Sequence, residues 1–140
     1  MFETVLVAAD DSVTASRALA TAVDLVKSLG GKLHVMTAYH PEAPRAGEHR
    51  HLAEVTDPAD LLLEKLRESV RKAGVEAEYH PASGDAAEAI VRVADRIGAD
   101  LIVVGNKGMK GVRRVLGSVP NSVAHSANCS VLIVDTVGEG

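Results

Sequence analysis

Aromatic residues are almost missing from this chain, which has no Trp, one Phe and two Tyr. A surface on which successive nucleic-acid bases stack needs several such rings, so that class of binding protein is excluded. The core must instead come from Val, Leu, Ile and Ala, a composition suited to a parallel sheet covered by Ala-rich helices. The one cysteine, Cys129, leaves no internal disulfide, and its place just before an apolar run predicts a buried, inert thiol. A net charge of −4 carries no basic surplus, which argues against DNA or RNA as a partner. No apolar run reaches membrane-spanning length, and Met1 to Val7 run into strand-like residues without a basic leader and cleavage site. The expectation is a soluble, cytoplasmic protein with no membrane partner, residues 1–140 forming one domain.

What is present is a regular alternation of strand and helix patterns. Val5 to Ala9 is a short apolar run stopped by Asp10-Asp11-Ser12, and it predicts a buried strand. Ala15, Ala18, Leu19, Ala22, Val26 and Leu29 then recur at helical spacing, with Asp11 or Ser12 available as cap and Gly30-Gly31 as stop. Leu33 to Ala38 predicts a second strand. Tyr39 to Thr56 loses periodicity and collects Pro41, Pro44, Gly47 and three of the six histidines, which predicts a long loop and a candidate surface for a protein partner. Asp57-Pro58 opens a helix whose apolar face is Leu62, Leu66, Val70 and Ala73, closed by Gly74.

Val75 to Tyr79 alternates apolar and polar, as expected of an edge strand with one wet face. Asp85 and Glu88 form a capping-box pattern ahead of Ala86, Ile90, Val93, Ala94 and Ile97, and Gly98 ends that helix. Leu101 to Val104 is another buried run. Gly105 to Gly117 is a glycine-rich connection, Ser118 is the N-cap of a short helix to Ala127, and Val131 to Val134 is the fifth strand. Such alternation implies a three-layer α/β sandwich: a five-stranded parallel sheet with helices on both faces.

The stretch from Gly105 to Ser118 leaves a buried strand and opens a helix, where phosphates commonly bind. Glycines let the backbone approach an anion, the free N–H groups of the following helix donate to it, and Lys107, Lys110, Arg113 and Arg114 add positive charge. In an open α/β sheet a ligand sits at the carboxyl ends of the strands where strand order reverses, and the first strand ends with Asp10. A carboxylate there can accept hydrogen bonds from ribose hydroxyls. Asp11 and Ser12 can cap the first helix without Asp10, which leaves Asp10 for that role. Neither the Gly-x-x-x-x-Gly-Lys-Ser/Thr of a P-loop nor a Gly-x-Gly-x-x-Gly after a strand is present.

On these residues the chain resembles the universal stress protein family. The resemblance is carried by Val5-Leu6-Val7-Ala8-Ala9-Asp10-Asp11-Ser12, by Gly105-Asn106-Lys107-Gly108 and by Gly117-Ser118-Val119, and it extends over all five strands. It looks like the ATP-binding branch, whose motif is Gly, two residues, Gly, nine residues, Gly, then Ser or Thr. Here eight residues separate Gly108 from Gly117, a shortening that bears on how many phosphates the loop holds.

The resemblance implies strand order 3-2-1-4-5 in a Rossmann-like fold of the adenine nucleotide alpha hydrolase type. It further implies that Asp10 contacts the nucleoside, with Ala8 beside it, and that Val35 and Ala38 border adenine. Gly105, Gly108, Gly117 and Ser118 would hold ribose and phosphates, and Asn106 and Val119 would contribute backbone groups. The implied ligand is ATP, or AMP or cyclic AMP, with Mg²⁺ as a possible companion of the phosphates. Dimerisation through Val131, Leu132, Ile133 and Val134 is implied as well. There is an independent reason for it: a continuously apolar strand at a sheet edge exposes an adhesive ladder unless another chain covers it.

Other sites are weaker. His40, His49 and His51 share the long loop, but no Cys or carboxylate spacing completes a metal set, and solvated residues are expected. His34 and His125 are expected to be hydrogen-bonded structural residues. No Gly-x-Ser-x-Gly elbow is present, so no catalytic residue is assigned. The resulting expectation is a nucleotide-binding protein of stress response or signalling. Its alternatives are an interaction protein that ignores nucleotides and a slow Mg²⁺-dependent ATPase.

Overall fold

A computed structural model of the chain describes residues 2–10, 13–39, 58–106 and 118–135. In chain order the elements are β1 (Thr4–Ala8), α1 (Val13–Leu29), β2 (Lys32–Tyr39), α2 (Pro58–Lys72), β3 (Ala77–Ser83), α3 (Ala86–Ile97), β4 (Leu101–Gly105), α4 (Val119–Ser126) and β5 (Ser130–Val134). The strands form one parallel sheet in the order β3-β2-β1-β4-β5, as the family resemblance implied.

Alternation along the strands divides the core in two. Val5, Val7, Leu33, Val35, Leu101 and Val103 face one side, where they pack with α1 and with Leu63, Leu66 and Val70 of α2. Leu6, Met36, Ile102 and Val104 face the other, against Ile90 and Val93 of α3 and Val123 of α4. Each fully buried aliphatic side chain in these layers stabilises the fold by roughly 1.5–3 kcal/mol. Because β1 and β4 are covered on both faces, they read in the sequence as unbroken apolar runs.

Local signals operate where the sequence places them. Asp85 accepts a hydrogen bond from the Glu88 backbone N–H at 3.2 Å, and Gly98 ends α3 at φ 71° while its N–H caps the last turn. Gly31 serves a different purpose: a Cβ there would lie 2.5 Å from the Phe2 carbonyl oxygen, so only glycine lets the chain pass the start of β1.

Several boundaries differ from the sequence expectation. The third strand begins at Ala77 rather than Val75 and continues through His80-Pro81-Ala82-Ser83, because its register follows β2 up to Tyr39. Pro81 is tolerated because β3 is an edge strand. Tyr39 closes β2 instead of opening a loop. On α2 the most buried positions are Ala59, Leu63, Leu66 and Val70, with Leu62 and Ala73 flanking them at partial burial. Arg67 of α2 lies 4.4 Å over the ring of Tyr79, fastening this helix to the edge strand.

Candidate functional site

The strand order reverses beside β1. The chain moves outward from β1 to β2 and β3, then returns to place β4 on the other side of β1. It leaves β1 for α1 on one face and reaches α4, after β4, on the opposite face. With α1 and α4 on opposite faces, the carboxyl ends of β1 and β4 are the switch point of the sheet, the place where open α/β sheets have their ligand crevice.

Three sequence-designated residues lie at these strand ends. Asp10 stands exposed two residues beyond β1. Gly105 closes β4 in register with Val134 of β5. Asn106 follows it and is buried at 4 % exposure, its backbone N–H donating to the Val134 carbonyl at 3.0 Å. Its side-chain Nδ2 donates to Oδ1 of Asp135 at 2.9 Å. Ala8 and Ala38 lie half-buried at the ends of β1 and β2.

Ser118 occupies the N-cap position of α4 in extended conformation, but its side chain makes no capping bond. The Ser118 Oγ is buried and has no hydrogen-bond partner among the described residues. A hydroxyl held this way costs about 1–3 kcal/mol unless something satisfies it. The expected cap is thus a cap by position only. Val119, the next residue, is exposed.

Val35 lies in mid-strand, and its side chain is fully enclosed by the core. Gly108, Gly117, Lys107, Lys110, Arg113 and Arg114 lie outside the described residues, as do Asp11, Ser12, His40, His49 and His51. Asp135 was missed from the sequence, although the available signal was the one used for Asp10: a carboxylate ending an apolar strand. A groove of about 520 Å³ also starts at Asp10, but it runs between α1 and α2 past Leu19, Val23, Lys65 and Leu66, away from Asn106 and Ser118.

The family model described as the universal stress protein family matches residues 1–135. This chain belongs to that family. It is 35% identical to a universal stress protein of Mycobacterium tuberculosis over 96% of this chain and 97% of that one. It is 34% identical to Universal stress protein YxiE of Bacillus subtilis over 96% and 99% of the two chains. Among solved structures, a universal stress protein in complex with cAMP superposes with a TM-score of 0.80 at 33% identity, covering 95% of this chain and 97% of that chain. A universal stress protein from Archaeoglobus fulgidus in complex with dAMP gives a TM-score of 0.70 at 26% identity, with 95% and 98% covered.

As a universal stress protein, the chain has the family's Rossmann-like sheet. The remaining candidates lie elsewhere. Cys129 is half-buried, and burial, with Asp95 and Asp100 nearby, raises its pKa and keeps it a thiol. His34 is buried and hydrogen-bonded, as expected, but His125 is exposed on α4. No helix among the described residues is long and apolar enough to cross a membrane.

Proposed function

We propose that this universal stress protein binds an adenine nucleotide in the crevice at the ends of β1 and β4 and acts as a homodimeric stress or signalling module. The observation that carries this reading is the buried hydroxyl of Ser118 at the start of α4, which has no partner among the described residues. A phosphate oxygen would accept a hydrogen bond from that hydroxyl and at the same time from N–H groups in the first turn of the helix. Asp10 would accept hydrogen bonds from the ribose hydroxyls. Asn106, tied to β5 on two sides, would hold the backbone of Gly105 in place.

Two relatives solved with cAMP and with dAMP support adenosine monophosphates as the ligand class. ATP, with Mg²⁺ on its phosphates, is the larger member of the class that the glycine loop would accommodate. Binding, rather than turnover, is then the output. Homodimerisation through β5 is supported by that strand's edge position and by Leu132, which is 37% exposed on it.

Isothermal titration calorimetry with ATP, ADP, AMP and cyclic AMP, with and without Mg²⁺, tests the reading on the wild type and a Gly108→Val variant. Saturable binding by the wild type that is lost in the variant is the expected result, and the ligand ranking shows how many phosphates are held. No binding of any of the four by the folded wild type overturns it.

A further inference from the structure

A second cluster lies on the sheet away from the crevice, on the face covered by α3. His34 of β2 and Glu78 of β3 are register partners, and His80 follows Glu78 by two residues, so all three side chains emerge on one face. Nδ1 of His34 and Nε2 of His80 are 2.9 Å apart. The ring centroids are 5.2 Å apart with planes 19° from parallel. That separation is what the nitrogen distance plus two ring radii gives, so the imidazoles meet edge to edge, one nitrogen donating to the other. One ligand atom from each of His34, Glu78 and His80 falls within 4.8 Å of the other two.

We propose that His34, His80 and Glu78 form a binding site for a divalent transition-metal ion of the zinc class, with water completing the coordination. Two imidazoles and one carboxylate form a recurrent three-ligand set for zinc, leaving a fourth position open. Zn–N bonds of about 2.0–2.1 Å in tetrahedral geometry require nitrogens about 3.3 Å apart. The pair must therefore open by a few tenths of an ångström and turn its rings off their common line, the metal replacing the shared proton.

The surroundings permit this movement. His34 is buried and fixes one ligand, His80 is half-buried, and Glu78 is exposed and free to swing inward. The site belongs to an edge strand, so water reaches it. Burial lowers the pKa of both histidines, which keeps their lone pairs available at neutral pH. Lys32 beside His34 and Arg96 of α3 beside His80 oppose a cation, and Glu78 is the charge that offsets them. Glu78 is accordingly needed for affinity as well as geometry.

The test is a Zn²⁺ titration of the full chain against a chromophoric chelator at pH 7.5, with circular dichroism to confirm folding. Variants are His80→Gln, Glu78→Gln and a His40→Asn/His49→Asn/His51→Asn control that removes the other clustered imidazoles. A single equivalent of Zn²⁺ is expected to bind the wild type and the control alike, weakened by about tenfold or more in His80→Gln and Glu78→Gln. Co²⁺ should give the intense visible bands of a four-coordinate site in the wild type and lose them in Glu78→Gln, an exposed change that leaves the core untouched. Equal affinity in wild type and His80→Gln, loss confined to the loop control, or no binding by the wild type overturns the proposal.

Discussion

Asn106 donates from Nδ2 to Oδ1 of Asp135 across 2.9 Å, joining the residue after β4 to the residue after β5. Together with the bond from its backbone N–H to the Val134 carbonyl, this holds the two strand ends beside the crevice at a fixed spacing. Asn106 is buried, so the contact is shielded from water.

Replacing Asn106 by Ala removes that brace and leaves Asp135 without one of its donors. The expected cost is about 1–2 kcal/mol of folding stability, measurable by urea denaturation. Nucleotide affinity should fall about tenfold in calorimetry, because the peptide that presents Gly105 is no longer held. Unchanged affinity would mean that Asn106 serves the sheet alone.

Ser118→Ala separates binding from folding. Its Oγ is buried with no partner to lose among the described residues, so the variant should be at least as stable as the ligand-free wild type, by up to about 1–3 kcal/mol. Nucleotide affinity should fall by about ten- to a hundredfold, the worth of one hydrogen bond to a charged phosphate. A destabilised variant with unaltered affinity would show that the hydroxyl serves the fold.

Asp100 gives a pH prediction. Its two carboxylate oxygens accept from the backbone N–H groups of Glu3 at 2.9 Å and Thr4 at 3.0 Å, bracing the first residues of the sheet. Slight burial raises its pKa, but the bonds from Thr4 and Glu3 outweigh this and hold it below the ordinary carboxylate value. A depressed carboxyl pKa means that the unfolded chain binds the proton more readily. The contribution is therefore complete above the unfolded value and is lost as pH falls through the folded one. Asp100→Asn should cost about 1 kcal/mol at pH 7, a modest figure because the site is only partly buried. The gap between the two melting curves should close in acid below about pH 4.

Leu132 tests the dimer. It is 37% exposed on the edge strand β5, where a second copy of the strand would cover it. Leu132→Arg sets like charges against each other across a twofold axis. Light scattering is expected to give a dimer mass for the wild type and a monomer mass for the variant. A monomeric wild type at micromolar concentration would remove β5 from the interface.

Much of the fold was legible because its signals are local. The caps at Asp85 and Gly98, the doubly covered runs of β1 and β4 and the wet edge strand β3 depend on neighbours within a few residues. The strand order came from family resemblance, since periodicity does not say which strand lies beside which. The third strand was misplaced by two residues at its start because alternation begins at Val75, whereas pairing with β2 starts at Leu33 opposite Ala77.

At the candidate site, residue types announced Asp10 and the glycine loop, but not which side chains are occupied. That the buried Ser118 hydroxyl makes no capping bond and has no partner among the described residues depends on how the side chain is enclosed in the fold, which a Ser before a helix does not reveal. Likewise, Asn106 and Asp135 are 29 residues apart, and His34 and His80 are 46 apart. The sequence by itself determined the alternation of strands and helices, the aliphatic core and the polar strand ends, because these follow from periodicity and capping within each segment. Only the tertiary structure decided which of those polar groups meet, because register between distant strands sets that, and register depends on how the whole core packs.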